Sequence, residues 1–317
     1  MPRGALRLIA LLALGLATCT PAPRVPLVMG TVPWIGTEPL FLAREEGLFP
    51  GPIHLTEYMN STHMLRAFHN GVIDAAAVTL EEVVNLNLGG QVQVLLVLDA
   101  SNGGDCVVAR PEVKTLADLK GRRVSAEDVM LPTYMLHRAL EQVQLSVSDV
   151  QRVHQGPDQA LEALRRGEVD AVVGYAPYCQ RMVAAGAHVL FDSKSMPGEI
   201  VDVLVVRRAY LQAQPDQVDA LIRGWFAALA RMRERPSESV RRMTPRLGIS
   251  EEDFLRGLEG VHYPDMREQR ELLVGPSPRL LETINRLRAV IAQRTGEPSF
   301  PFSERLIEPA PLLRVAP

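Results

Sequence analysis

One sequence pattern occurs twice in this chain of 317 residues, at residues 67–79 and again at residues 163–175. In each copy a short helical pattern ends at a glycine, Gly71 or Gly167, and an apolar segment then begins with Asp-Ala. A repeated supersecondary unit constrains the fold strongly, because each copy has to pack in a similar way. Two copies are too few for a solenoid. They predict two α/β lobes of similar design that face each other across a cleft.

Short apolar segments alternate with helical patterns along most of the chain, which predicts βαβ units and open parallel sheets covered by helices. The predicted strands are residues 25–30, 53–58, 73–78, 92–98, 106–109, 123–126, 150–154, 169–175, 189–191 and 201–207. The predicted helices are residues 38–46, 62–70, 80–88, 115–119, 132–143, 158–166, 177–185, 215–233, 250–258 and 277–292. The proline-rich residues 296–317 are predicted to lie on the surface.

The chain is expected to cross between the lobes twice, near residues 104–110 and 197–202. The first lobe then comprises residues 25–104 and 203–317, and the second lobe comprises residues 105–202. The predicted fold class is therefore α/β, with two similar Rossmann-like lobes joined by a hinge of two crossings.

The first nineteen residues differ from the rest. Arg3 and Arg7 precede an apolar run that is too short to span a bilayer, as in a secretory signal peptide. The sequence around Cys19 resembles the lipobox of bacterial lipoproteins, although Thr18 departs from the usual small residue. Two alternatives remain open: lipidation of Cys19 with membrane tethering, or cleavage nearby that releases a freely soluble periplasmic protein.

Two other cysteines, Cys106 and Cys179, would be in an oxidising compartment. The sequence leaves open whether they form a disulfide or remain buried thiols.

Composition and motifs exclude several classes of function. The 34 basic residues are scattered and the formal net charge is -3, so no binding to nucleic acid is expected. The sequence contains no HExxH, GxSxG, P-loop or CxxC motif, and His63 and His69 fall on different faces of a predicted helix. We therefore predict no catalytic residue, no metal and no cofactor; the protein is expected not to be an enzyme.

A ligand of an open α/β sheet binds beyond the carboxyl ends of the strands. Trp34 lies in a Pro/Gly loop after the first predicted strand, and it is either the edge of a core or a flat stacking surface that faces Tyr175 across the cleft. Polar side chains of residues 99–105 either bond to nearby backbone in a turn or accept hydrogen bonds from a ligand.

The charge of these loops predicts the charge of the ligand. They contain several carboxylates and neither Lys nor Arg, which would oppose a sulfonate or phosphate. We therefore predict a neutral or cationic, nitrogen-bearing small molecule. The acidic residues concerned are Glu38, Asp99, Asp105, Glu127 and Asp128, with Asp202 near the second crossing.

The motif Pro33-Trp34-x-Gly36-x-x-Pro39-Leu40-Phe41-Leu42-Ala43, followed by Gly47-Leu48-Phe49, resembles the N-terminal signature of a family of ABC-importer solute-binding proteins. That class serves nitrate, sulfonates, taurine and thiamine-precursor pyrimidines. The resemblance extends from about residue 25 to residue 207. It implies a type II periplasmic binding-protein fold that closes on a small solute and delivers it to a permease and its ATPase. The pocket positions that it implies are Trp34, Gly36, Thr37, Glu38, Thr79, Ser101 and Tyr175.

Asp99, Asp105 and Asp128 complete the predicted binding site on the charge argument. We expect a monomeric, periplasmic protein that captures a small molecule between its lobes. Two other functions stay open. One is a ligand-sensing module for a membrane signalling partner, and the other is an enzyme like the yeast-type pyrimidine synthase, whose cysteine-rich motif is absent here.

Overall fold

The computed structural model describes residues 25–86, 90–295 and 306–315. The predicted signal peptide and Cys19 lie outside these residues. The strands are β1 Leu27–Thr31, β2 Ile53–Glu57, β3 Ala75–Thr79, β4 Val92–Ser101, β5 Asp105–Ala109, β6 Arg123–Ala126, β7 Gln151–His154, β8 Ala171–Tyr175, β9 His188–Asp192, β10 Val201–Arg207 and β11 Val261–His262.

The first helices in chain order are α1 Glu38–Glu45, α2 Ser61–His69, α3 Leu80–Leu86, α4 Met130–Glu141, α5 Pro157–Arg166, α6 Tyr178–Ala184 and α7 Arg208–Ala213. The remaining helices are α8 Pro215–Glu234, α9 Pro236–Leu247, α10 Glu251–Leu258, α11 Met266–Leu273, α12 Arg279–Thr295 and α13 Ala310–Val315. Most of them agree with the sequence prediction. The prediction missed α7, α9, α11, α13 and β11.

The strands form two sheets, so the predicted two-sheet α/β fold is confirmed. The six-stranded sheet has the order β11-β4-β10-β3-β1-β2, and the five-stranded sheet has the order β7-β6-β8-β5-β9. We call the layers around the six-stranded sheet the first lobe and those around the five-stranded sheet the second lobe. Each sheet has its own apolar core, and a third, smaller cluster packs Trp34 against Phe254 and Ala176.

Both sheets are mixed, whereas the sequence pattern predicted parallel sheets. β10 pairs antiparallel with β3, and β5 pairs antiparallel with β8. These are the strands that arrive directly from the other lobe, across residues 102–104 and 193–200. Parallel neighbours need a helical crossover between them. β5 and β10 have none, and they enter in the opposite direction. Their amino ends consequently lie at the same edge as the carboxyl ends of β8 and β3.

The repeated sequence pattern occupies equivalent places in the two lobes, as predicted. Asp74 and Asp170 precede β3 and β8 respectively. The carboxylate of Asp74 accepts a hydrogen bond from the backbone N–H of Val28 at 3.1 Å, and that of Asp170 accepts one from Arg123 at 3.0 Å. Each aspartate therefore attaches its strand to the neighbouring parallel strand, β1 or β6.

The repeated glycines end the helices before these strands. Gly71 and Gly167 have φ values of 74° and 72°, the left-handed region in which glycine carries no steric penalty. The backbone thereby reverses from α2 into β3 and from α5 into β8.

The end of the chain differs from its prediction. Residues 306–315 were expected on the surface, but Leu306 is 1% and Leu312 0% exposed. Ile307 forms a parallel bridge to Val94, and α13 packs on α8. The proline content suggested a surface tail, but the apolar side chains between the prolines pack against the first lobe.

Cys106 on β5 and Cys179 on α6 form a disulfide, with Cα atoms 6.3 Å apart. This settles the alternative that the sequence left open, and it attaches α6 to the strand that enters the second lobe. Over the described ranges, no helix is both long enough and apolar enough to span a membrane.

Candidate functional site

Two strand-end pairs form the centre of the candidate site. In the first lobe Thr79 at the end of β3 pairs with Asp202 of β10. In the second lobe Tyr175 at the end of β8 pairs with Asp105 of β5. The repeat and the two antiparallel strands thus give each lobe the same arrangement, in which a polar residue ends the parallel strand and an aspartate lies beside it.

These four residues line one cavity of about 50 Å³ between the lobes. Its volume is sufficient for about four ordered water molecules, which fits a small solute. The lining also contains apolar residues of α4 and β8, and its polar members come from both lobes. The lining residues are Thr31, Val32, Trp34, Thr37, Ser61, Ala77, Val78, Thr79, Glu82, Asp105, Glu127, Val129, Leu131, Pro132, Met135, Val173, Gly174, Tyr175 and Asp202.

Trp34 combines the two alternatives proposed from the sequence. Its ring lines the cavity and makes an edge contact with Tyr175, with centroids 6.2 Å apart and planes inclined at 81°. The side chain is nevertheless only 6% exposed and belongs to the third apolar cluster. Its Nε1–H donates a hydrogen bond to Asp99 Oδ2 at 3.0 Å. Trp34 is therefore both a packed core residue and part of the cavity wall.

Gly36 does not line the cavity, but it permits this hydrogen bond. A Cβ atom at position 36 would overlap the Trp34 indole nitrogen and the Asp99 carboxylate. Thr37, by contrast, is at the wall, where its hydroxyl contacts the Thr31 hydroxyl at 3.1 Å. Of the residues in the motif that resembles the solute-binding family, Thr37 thus lies at the cavity wall and Gly36 lies behind it.

Asp99 and Asp202 form a pair of buried carboxyl groups. They lie directly opposite each other on β4 and β10, and only Asp202 lines the cavity. Burial raises the pKa of both groups, and the negative charge of Asp99 raises the pKa of Asp202 further. Two neighbouring carboxyl groups cannot both ionise easily, because their negative charges repel each other. The pair therefore favours a state in which the two groups share one proton.

Asp105 lies at the start of β5 and is 4% exposed. Burial raises its pKa to about 6, and a hydrogen bond from Ser101 opposes that shift. Ser101 itself is behind the wall, where its hydroxyl contacts the Ser193 hydroxyl at 2.9 Å. Ser193 Oγ also accepts a hydrogen bond from the backbone N–H of Gly103 at 2.6 Å. Ser101 therefore belongs to a hydrogen-bond network that connects the two chain crossings.

Glu82 was missed by the sequence analysis. It is in the first turn of α3, where the backbone N–H of Thr79 donates to Glu82 Oε2 at 3.1 Å and the Thr79 hydroxyl accepts from the Glu82 N–H at 3.4 Å. Burial raises the pKa of Glu82 to about 7. The spacing Thr-x-x-Glu after a strand is a capping-box signal, and it could have identified this residue.

Glu127 and Asp128 follow β6 and have different environments. Glu127 lines the cavity, and its Oε1 accepts hydrogen bonds from the backbone N–H and hydroxyl of Thr62 at 2.7 and 2.8 Å. Asp128 was predicted as a ligand-binding residue, but its side chain is 76% exposed and lies 3.4 Å from His154 Nδ1. Of the two adjacent carboxylates, only that of Glu127 therefore faces the cavity.

Glu38 also lies away from the cavity. It is fully buried at the start of α1 and forms an ion pair with Arg246 of α9, which also pairs with Glu57 and lies over the Phe41 ring. Burial raises the pKa of Glu38 to about 7, against the effect of Arg246. Glu38 therefore joins α1 to α9, a helix that the sequence did not predict, and it does not line the cavity.

The predicted residues thus fall into two groups. Five line the cavity: Trp34, Thr37, Thr79, Asp105 and Tyr175. Five lie behind or outside it: Gly36, Glu38, Asp99, Ser101 and Asp128. Among the described residues, the cavity lining contains no Lys, Arg, His or Cys. In the same part of the chain, no group of three His, Cys, Asp or Glu side chains is placed to hold a metal ion.

Comparison with known proteins agrees with this architecture. The profile of the NMT1-like family matches residues 20–244. The taurine-binding periplasmic protein of Escherichia coli (strain K12) is 23% identical over 231 residues, which cover 67% of this chain and 72% of that protein.

Two solved structures have a similar fold. The ligand-binding component of an ABC-type import system from Staphylococcus aureus, with zinc bound, has a TM-score of 0.77 at 15% identity, covering 92% of this chain and 99% of that chain. The alkanesulfonate-binding protein SsuA from Xanthomonas axonopodis pv. citri, bound to MOPS, has a TM-score of 0.71 at 18% identity, covering 90% and 97%.

The fold and cleft define a periplasmic-type solute-binding protein of the ABC-importer class, as the sequence resemblance predicted. The chain belongs to the NMT1-like family. The relatives by sequence are binding proteins, which supports a non-enzymatic role for this chain as well.

Proposed function

We propose that this protein captures a small neutral or cationic, nitrogen-bearing solute between its lobes and delivers it to an ABC-type permease. One observation carries the proposal. Four acidic side chains, Glu82, Asp105, Glu127 and Asp202, line the cavity, and no basic side chain of the described chain lies among them.

The raised pKa values make the binding of a cation measurable through the protons that it displaces. Burial raises the pKa of Glu82 to about 7 and that of Asp105 to about 6, so both groups hold protons more strongly than exposed carboxyl groups do. A cation that enters the cavity stabilises their ionised forms, so protons leave as it binds. A purely anionic group would instead stabilise the protonated carboxyl groups, so protons would be taken up as it binds.

Unpartnered polar atoms support a ligand that donates hydrogen bonds. Glu127 Oε2 is buried and has no hydrogen-bond partner within the described residues; the same holds for the Tyr175 hydroxyl. Buried polar atoms of this kind are costly unless a water or a ligand satisfies them. An ammonium, amine or amidine group supplies N–H donors to the carboxylate and leaves the hydroxyl free to donate or accept.

A second candidate is a zwitterion with an ammonium and a sulfonate group. The sequence relative is named as a taurine-binding protein. In this chain the N-terminus of α4 offers an anion position, because Val129 and Leu131 line the cavity and the N-cap Val129 provides no side-chain hydrogen bond. The ammonium end would then face the carboxylates.

Binding of three matched probes tests the proposal. Ethylammonium, ethanesulfonate and taurine share a two-carbon skeleton and differ only in their charged groups. We expect calorimetric titration near neutral pH to detect ethylammonium or taurine and to detect no ethanesulfonate. Taurine binding without ethylammonium binding would favour the zwitterion. Ethanesulfonate alone would reject both candidates.

We also propose that the mature protein is a lipid-anchored, monomeric protein of the periplasm, with Cys19 as the lipidated residue. We propose a first lobe of residues 25–104 and 201–317 and a second lobe of residues 105–200. The sequence placed the second boundary after residue 202, but β10 begins at Val201 and pairs within the six-stranded sheet. Cys19→Ser is expected to move the protein from the membrane fraction to the soluble fraction. The control is Cys106→Ser/Cys179→Ser, which should stay in the membrane fraction. An unchanged distribution for Cys19→Ser would reject the anchor.

A further inference from the structure

A carboxylate of the second lobe binds the N-terminus of a helix in the first lobe. Glu127 Oε1 accepts two hydrogen bonds from Thr62, one from its backbone N–H at 2.7 Å and one from its hydroxyl at 2.8 Å. Thr62 is the second residue of α2, a nine-residue helix whose N-cap Asn60 accepts a hydrogen bond from the N–H of His63. Two amides at this helix end, those of Thr62 and His63, therefore donate to side chains, and one of these side chains is a carboxyl group from across the cleft.

The other oxygen of the same carboxylate is available to a ligand. Glu127 is 4% exposed and lines the cavity, and its Oε2 has no hydrogen-bond partner in the described part of the chain. A buried carboxylate oxygen without a donor is unfavourable. A donor that a solute places here would gain a hydrogen bond to a charged acceptor, which is stronger than a neutral one.

The position that Glu127 occupies is one where an anionic ligand would otherwise bind. Helix N-termini attract anions through free backbone N–H groups and the positive end of the helix dipole. Among the described residues, the cavity lining contains no Lys or Arg that could bind an anion in place of the helix N-terminus. An anion entering the cleft would meet a carboxylate already bound at α2, with Glu82 and Asp158 also nearby.

We propose that Glu127 is a specificity-determining residue of the cleft: its carboxylate takes the place of an anionic ligand group at the N-terminus of α2, links the two lobes and thereby excludes anions. Its free oxygen then accepts a hydrogen bond from a nitrogen of the solute. This inference rests on the proposed function for the sign of the ligand charge, but it makes a separate claim about which residue sets that sign.

Substitution of Glu127 tests this role. Glu127→Ala vacates the helix end, and Glu127→Gln removes the charge while it keeps an oxygen acceptor. Asp128→Asn is the matched control, because it removes the adjacent carboxylate, which lies outside the cavity. Ethanesulfonate and ethylammonium are the probes, titrated at about pH 6, which is below the raised pKa of Glu82 and close to that of Asp105.

We expect wild type and Asp128→Asn to bind no ethanesulfonate and Glu127→Ala to bind it. In Glu127→Ala the affinity for ethanesulfonate relative to that for ethylammonium should rise by about tenfold or more. In Glu127→Gln this ratio should rise by less. Equal changes in both affinities, or no gain of ethanesulfonate binding, would overturn the assignment. If Glu127→Ala does not fold by circular dichroism, Glu127→Gln decides the question.

These outcomes separate the two proposals. Gain of ethanesulfonate binding in Glu127→Ala, together with no ethylammonium binding in wild type, would keep the role of Glu127 and reject a cationic solute. Ethylammonium binding in wild type without any gain of anion binding in the variants would do the reverse.

Discussion

In the first lobe Thr79 ends β3 beside Asp202, and in the second lobe Tyr175 ends β8 beside Asp105. The backbone positions are equivalent, but the side chains are not. Asp202 faces a second carboxyl group, that of Asp99, across β10 and β4. Asp105 has a serine for a neighbour instead. At these equivalent positions the first lobe therefore contributes one member of a buried acidic pair to the cavity, and the second contributes the Tyr175 ring.

The same supersecondary unit therefore supports different side-chain chemistry in the two lobes. The repeated strand fixes where each pair lies, whereas the residues flanking it decide the chemistry. The lobes also differ in how they are held together, because the disulfide between Cys106 and Cys179 lies entirely in the second lobe.

The largest effect is expected for Trp34→Ala in the first lobe. Trp34 is 6% exposed, so truncation should lower the free energy of unfolding by about 3–5 kcal/mol and abolish stabilisation by ethylammonium. Trp34→Phe is the control, because it retains an aromatic ring while it loses the hydrogen bond to Asp99 and part of the packed volume. Urea unfolding measures both variants. A loss below about 1 kcal/mol for Trp34→Ala would contradict the core role of this side chain.

Removal of the disulfide should affect the second lobe. The variant Cys106→Ala/Cys179→Ala is expected to lower the free energy of unfolding by about 2–4 kcal/mol, because the unfolded chain regains conformational freedom. Hydrogen exchange should locate the loss in β5 and α6 and leave β3 and β10 protected. An equal loss of protection in both lobes would show that they unfold as a single unit.

The acidic pair of the first lobe should make stability depend on pH. Folding raises the pKa of Asp99 to about 7 and also raises that of Asp202, so the folded protein holds protons that the unfolded chain has lost. The ligand-free protein should therefore lose stability as pH rises from about 5 to 8. Urea midpoints across this range test the sign. An increase in stability over the same range would contradict the raised values.

Asp202→Asn should weaken this pH dependence, because Asp99 then faces an amide donor instead of a carboxyl group. We expect a gain of about 1–2 kcal/mol at pH 8 in the ligand-free protein. Asp105→Asn is the equivalent change in the second lobe. It should have a smaller effect, because Asp105 has no carboxyl partner in its own pair. Equal effects of the two variants would remove the distinction between the lobes.

The smallest effect on stability is expected for Tyr175→Phe. Its hydroxyl is buried and has no partner in the described residues, so its removal breaks no hydrogen bond there and should not lower the free energy of unfolding. Ligand affinity should nevertheless fall, by about three- to tenfold, if the hydroxyl bonds to the solute. Unchanged affinity for ethylammonium and taurine would remove Tyr175 from the polar part of the site.

The sequence predicted the local parts of this site better than its long-range parts. The repeat located Thr79 and Tyr175, because helix, glycine and strand are encoded within a short segment. It did not reveal that β5 and β10 run antiparallel to their neighbours, since strand direction depends on the path between the lobes. Asp202 was noted for its charge, but its place beside Thr79 became evident only from that pairing.

Burial and side-chain direction explain the other differences between the predicted and the observed site residues. Glu38 was predicted as a ligand-binding residue from its position in the motif, but Arg246 lies far along the chain and forms an ion pair with it. Asp128 and Glu127 are adjacent and chemically alike, so only the direction of each side chain distinguishes the exposed one from the one in the cavity. Local patterns do not record such pairings.

The central claim is that the acidic cavity takes a solute whose charge or hydrogen-bond donors favour ionised carboxylates. Calorimetric titration of wild-type protein with ethylammonium, taurine and ethanesulfonate, at about pH 6.5 in two buffers of different ionisation enthalpy, measures the protons exchanged on binding. The account predicts that at least one probe binds and that protons are released. Proton uptake on binding, or binding of ethanesulfonate alone, would contradict it.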